Sequence, residues 1–169
     1  AARPCAQAVL QDFGLLDYLQ FDGYSYRLVP ILTPYRSAWD IGRIDTDVAY
    51  PLLKDTLRYG NLADPGVNAD YFVQYNLSAS RAREAFARVA RKLLQENQPD
   101  KAREMLDRGL EVLPSPKIRY TDANTYPFIE CYYLLEDYDK GDALLKDYAE
   151  TLKEYIEYYL QFDGRSIRP

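Results

Sequence analysis

Asp45 and Asp47 flank Thr46 in an Asp-x-Asp pair. That spacing can present two carboxylates to a divalent cation and, through it, to a sugar-nucleotide phosphate, because hard cations select oxygen ligands. The pair also sits directly before a predicted helix, where a short carboxylate side chain caps free backbone N–H groups. N-capping is the better reading. Asp137, Asp139 and Asp142 surround Gly141 in a way that suggests a calcium loop, but Gly141 and Tyr148 occupy slots that need oxygen ligands, which excludes an EF-hand. The chain has no histidine. The commonest general base, the commonest transition-metal ligand and every Ser-His or Cys-His pair are therefore missing. Cys5 and Cys131 are the only cysteines and do not form a Cys-x-x-Cys. They read as free thiols or as one disulfide, not as a zinc site. There is no Gly-rich phosphate loop. The residues assign no catalytic group, no metal and no cofactor, and the chain reads as a scaffold or interaction module and not as an enzyme by itself.

Recognition chemistry is better represented. From Arg81 to Arg119 there are ten basic and six acidic residues; from Tyr120 to Gly164 there are three basic and eleven acidic. Arg88, Arg91 and Lys92 lie on one predicted helix and make a basic stripe, with Tyr132 as an aromatic neighbour. The stripe is either an ordinary solvated face or a docking surface for an acidic protein or peptide partner. Seventeen tyrosines accompany one tryptophan. Tyr155, Tyr158 and Tyr159 form a dense cluster that can stack on sugars, which makes a carbohydrate-binding module the alternative. At helical spacing such tyrosines also serve as packing residues.

These residues need elements to position them. The 169 residues suffice for one domain, and 47% are apolar, enough for a core. A net charge of −5 argues against a nucleic-acid partner. The longest uncharged run, Tyr71 to Ser80, is ten residues, about half of a membrane span. Ala1-Ala2-Arg3-Pro4 lacks the apolar stretch of a signal peptide, and the chain reads as a processed product or a piece of something longer.

Residues 1–76 are rich in turn formers, as in Phe21-Asp22-Gly23-Tyr24, and predict an irregular α+β cap. Within it, Ala6–Leu10 and Tyr24–Pro30 read as strands, Gly14–Gln20 as a short helix, and 47–59 as a helix stopped by Gly60, with Val48, Leu52 and Leu57 inward. Residues 77–163 are helical. Helices are expected over Arg81–Glu96 behind a Ser78 or Ser80 cap, Pro99–Leu113, Ala123–Leu135 and Tyr138–Gln161. The last should bury a stripe of Leu145, Tyr148, Leu152, Tyr155, Ile156 and Tyr159. Residues 164–169 read as a tail. The fold class is mainly α: helical hairpins with an irregular N-terminal cap.

Phe86, Val89, Ala90, Leu93, Ala102, Leu106, Gly109 and Pro114 fall in the slots of a tetratricopeptide repeat, a 34-residue helical hairpin with small residues at the crossing. Matching Lys101-Ala102 to Lys140-Gly141 gives a looser second unit at an offset of 39. About three repeats are normally needed for stability, so the N-terminal part must pack against the pair.

Arg3-Pro4, Gly14-Leu15-Leu16-Asp17-Tyr18-Leu19-Gln20 and Asp22-Gly23-Tyr24-Ser25-Tyr26-Arg27-Leu28-Val29-Pro30 resemble the soluble tail of a group of large bacterial membrane proteins, as do Ile44 to Asp47, Arg58-Tyr59-Gly60-Asn61 and Lys101 to Pro114. The resemblance runs from Arg3 to about Leu145. The family is labelled "domain of unknown function 2723" and is similar to multi-pass, lipid-sugar-dependent protein O-mannosyltransferases. It implies that catalysis lies in a membrane half outside this chain, so no catalytic residue carries over. It further implies a periplasmic, extracytoplasmic module that binds an acceptor protein, or the membrane half of the same parent protein, or organises their complex.

Overall fold

The computed structural model describes residues 13–34, 41–68, 70, 77–114, 118 and 122–162. Where an apolar cap must cover two helical hairpins, its central strand is buried on both faces. β1 (Leu19–Phe21) is such a strand. It pairs antiparallel with β2 (Tyr26–Leu28) and parallel with β3 (Arg43–Ile44), giving the order β2-β1-β3. Leu19 lies opposite Leu28, and Gln20 opposite Arg43. β2 is the centre of the strand expected at Tyr24–Pro30. The helix expected at Gly14–Gln20 shrinks to one 3-10 turn, Leu16–Tyr18, because Leu19 and Phe21 are drawn into the sheet. The strand expected at Ala6–Leu10 lies outside the described residues. The β1–β2 turn places Gly23 at φ +84°, a conformation favourable for glycine.

The helix expected over 47–59 is shorter and broken. α1 covers Thr46–Pro51, and the chain then widens into a π-helical turn, Leu52–Thr56. Pro51 is the sixth residue of α1, beyond the first turn, where it removes a backbone donor and crowds the preceding carbonyls. The inner face is Thr46, Ala49 and Leu53, leaving Val48, Leu52 and Leu57 half-buried. Gly60 belongs to the following turn and does not stop the helix.

Four longer helices follow: α2 (Leu77–Gln95), α3 (Pro99–Val112), α4 (Asp122–Leu134) and α5 (Tyr138–Leu160). α2 starts earlier than predicted, so Ser78 and Ser80 sit inside it. Ser80 Oγ instead accepts from Asn124 Nδ2 of α4 at 3.0 Å. The stripe of Ala82, Ala85, Phe86, Val89, Ala90 and Leu93, at three-and-four spacing, is buried, and α2 packs along both α3 and α4. Burying one such large apolar side chain stabilises by about 1.5–3 kcal/mol.

The two hairpins turn in the same way. Asn97 and Glu136 adopt φ +59° and +58°. Gln98 N donates to Leu93 O, and Asn97 N to Leu94 O; Asp137 N donates to Tyr132 O, and Glu136 N to Tyr133 O. These are paired left-handed helix ends, and every equivalent atom pair is 39 residues apart. The helices cross most closely at Gly109. A Cβ there would lie 2.9 Å from Cβ and Cγ of Phe86 and 3.0 Å from Cζ of Phe128.

Two arginines staple the assembly. Arg83 is fully buried on α2, and its guanidinium donates to the Ile118 carbonyl at 3.2 Å and to the Leu113 carbonyl. It thereby satisfies the Leu113 oxygen, which the end of α3 leaves without an internal donor, and ties Ile118 to the same guanidinium. Arg88 holds the cap. It donates to Ile41 O at 2.8 Å and Tyr26 Oη at 3.0 Å, and lies 4.2 Å above the Phe21 ring.

Candidate functional site

The basic residues singled out on α2 are occupied within the chain. Arg88 is the cap clamp. Arg91 pairs with Glu130 of α4, and Lys92 with Glu96 one turn on, at 3.2 Å. Tyr132 does not accompany them at the surface. It is buried, and its hydroxyl donates to Asp107 Oδ1 at 2.9 Å. Burial, reinforced by that carboxylate, pushes its phenol well above the ordinary range. Lys140 of α5 donates to the same carboxylate at 2.7 and 2.8 Å, so α3, α4 and α5 meet at Asp107.

The tyrosine cluster of α5 is exposed at Tyr158 and Tyr159, while Tyr155 is half-buried. The rings of Tyr158 and Tyr159 are inclined at 73°, and Tyr158 meets Phe162 edge-on at 67°. Stacking on a sugar needs a flat exposed aromatic face, and these two rings do not share a plane.

The carboxylates also have local partners. Asp45 is the backbone N-cap of α1 without a side-chain capping bond, and its carboxylate faces Arg43 at 3.5 Å. Arg27 pairs with Asp22 at 2.7 Å and not with Asp45. Asp137 pairs with Arg103 and Lys140, and Asp142 accepts from the Tyr133 hydroxyl. A shallow depression of about 500 Å³ is lined by Lys54, Asp55, Glu104, Asp107, Arg108 and Glu111. Its charges largely compensate one another: Lys54 pairs with Glu104 at 2.5 Å, Arg108 with Glu111 at 2.8 Å, and Asp107 with Lys140. Cys131 is a buried free thiol whose pKa burial pushes up to about 11, so it is a poor nucleophile at neutral pH. Cys5 lies outside the described residues.

Among the described residues, an unpartnered apolar face lies on α5. The helix has 23 residues and α4 has 13, or about 34 Å and about 20 Å of length. Both start from the shared turn at 135–137, so α4 flanks α5 only to about residue 150. Gly141, Leu144 and Tyr148 are buried, but Leu145 is 43% exposed, Leu152 39% and Ile156 60%. The sequence stripe is therefore split: Tyr148 packs inward, while Leu145, Leu152, Ile156 and Tyr159 face outward. The 39-residue repeat gives this meaning. Leu145 is the counterpart of Leu106, which is fully buried. α3 is closed off by the next hairpin, whose Phe128 reaches Gly109; among the described residues nothing does the same for the far end of α5.

Sequence periodicity identified the apolar residues of α5 but not which of them stay exposed. The signal available was the ten-residue excess of α5 over α4. Arg83 gave no signal, because a buried arginine reads in sequence as one more surface charge. Comparisons with protein-family models, with curated proteins and with solved structures find no match.

Proposed function

We propose that this chain is a non-catalytic interaction module of tetratricopeptide-like hairpins whose α4–α5 end receives a helix from a protein partner. One observation carries the reading: Leu106 is fully buried, whereas its counterpart Leu145, with Leu152 and Ile156, stays open. A repeat array buries its apolar faces by stacking units and closes its ends with polar surfaces. An apolar end is a place where one more helix fits. The sequence resemblance supports placing this module on the extracytoplasmic, periplasmic side of a bacterial membrane glycosyltransferase, where an acceptor protein or the membrane half of the parent joins the assembly.

The internal pairing of Arg88, Arg91 and Lys92 favours the α5 face over the basic stripe as the docking surface. The test is capture from a detergent-solubilised bacterial envelope by the immobilised chain, compared with Leu152→Glu/Ile156→Glu. Loss of a specific protein in the variant, with unchanged circular dichroism, is expected. Equal capture by both proteins would place docking elsewhere and overturn the reading.

A further inference from the structure

We infer that the helix received at this end is α5 of a second copy of the chain, laid antiparallel to the first about a two-fold axis. The inference rests on the docking reading of the α5 face and names its partner. Leu145, Ala149, Leu152, Ile156 and Tyr159 recur at alternating spacings of four and three residues, which aligns them as one seam along the helix. The stretch from Ala149 to Tyr159 is self-complementary when reversed. With Ala149 of one copy against Tyr159 of the other, Leu152 meets Ile156, and the same two layers repeat beyond the axis. The outer layers set the small Ala149 against the large Tyr159, as interdigitating packing requires. Antiparallel is also the direction of a helix that would follow α5 through a tight turn, so the second copy takes the place of a next repeat.

Area and charge agree. Leu145, Leu152, Ile156, Tyr159, Leu160 and Phe162 are on average half exposed. At about 200 Å² per large side chain they leave about 600 Å² of apolar surface, the upper end of what a monomer shows. Two copies bring about 1,200 Å², the lower limit of a standard interface. The positions beside the seam are Lys146 and Lys153 on one side and Tyr148 and Tyr155 on the other. Lys153 and Tyr155 each approach their own counterparts about the axis; Glu157, 3.7 Å from Lys153, offsets the like charges there. An anionic bilayer is a poorer occupant, because Glu150, Glu154 and Glu157 line the polar face.

Sedimentation equilibrium of the full chain tests this. A monomer–dimer transition with a dissociation constant of about 1–100 µM is expected for this area. Leu152→Glu should weaken it at least about 100-fold, since each dimer would bury two carboxylates. Glu150→Gln, on the outer face, should leave it unchanged. In a Cys5→Ser background, Ala149→Cys mixed with Tyr159→Cys should cross-link, while Ala149→Cys alone should not. A monomer at every concentration, a dimer indifferent to Leu152→Glu, or cross-linking by Ala149→Cys alone overturns the inference. If the monomer still captures an envelope protein through Leu152 and Ile156, only the second-copy assignment falls and the docking reading stands.

Discussion

Gly109→Ala tests the hairpin crossing directly. The added methyl would sit 2.9 Å from Cβ and Cγ of Phe86 and 3.0 Å from Cζ of Phe128. Both rings are fully buried, and the Phe86 Cβ is fixed to the α2 backbone, so neither neighbour can swing aside. Overpacking of this kind costs about 1–3 kcal/mol. The substitution also removes a mid-helix glycine, a gain of about 1 kcal/mol. The crossing term wins over most of that range, and the net loss is about 1 kcal/mol and at most about 2 kcal/mol. Gly141→Ala, 32 residues on, is the control. Its nearest neighbours are the Tyr133 ring at 3.3 and 3.4 Å and Tyr132 Cβ at 3.6 Å. The Tyr133 ring is partly exposed and can yield, so the propensity gain of up to about 1 kcal/mol should dominate there. The two variants should therefore differ by about 2 kcal/mol in urea unfolding followed by far-ultraviolet circular dichroism, with unchanged slopes. In thermal unfolding Gly109→Ala should lower Tm by about 2–8 °C. If Gly109→Ala proves as stabilising as Gly141→Ala, the helices do not cross at that distance and the reasoning fails.

Arg83→Met should destabilise by about 3 kcal/mol or more, because two buried carbonyls lose a charged donor. Arg83→Lys should recover only part of this, since one ammonium cannot reproduce the guanidinium fork; full recovery in urea unfolding would refute the staple. Hydrogen bonds from Lys54 and Tyr50 hold the Glu104 carboxyl below the usual glutamate value. Its contribution is complete above that usual value and is lost as pH falls through the lowered folded value. Burial shifts Glu84 upward, which acts in the opposite sense. The difference between wild type and Glu104→Gln isolates Glu104: their gap in stability should close on acidification, and a gap independent of pH would contradict the pairing. Cys131 should resist a thiol-specific reagent in the folded chain and react on unfolding; rapid labelling of Cys131 in the native state would place it at the surface.

Helix identity was legible in the sequence wherever period and length agreed. The stripe from Ala82 to Leu93 needs only 3.6-residue spacing, and it is buried as read. Asn97 and Pro99 marked a turn through local backbone chemistry alone. Position within the assembly was less legible. Val48 and Leu52 carry the right spacing for an inner face, but Ala49 and Leu53, one residue on at the same spacing, face inward instead. Arg88 read as a free cation because its partners, Ile41 and Tyr26, are 47 and 62 residues away. On α5, periodicity records that Leu152 and Ile156 are apolar; which helix stands beside them depends on the length of α4.

The Arg88 clamp also bears on the order in which the molecule assembles. The helical hairpins close through contacts between neighbours in sequence, which form fast because short loops lose little entropy on closure. The cap joins α2 through longer closures, 47 and 62 residues at Arg88 and 27 at the Tyr59–Phe86 ring contact, with two- and three-residue strands of its own. It is therefore the last part to fold and the first to open. Under native conditions, amide hydrogens of β1 and β2 should exchange by partial opening while those of α2 wait for global unfolding. Proteolysis would then make its first cuts in the cap.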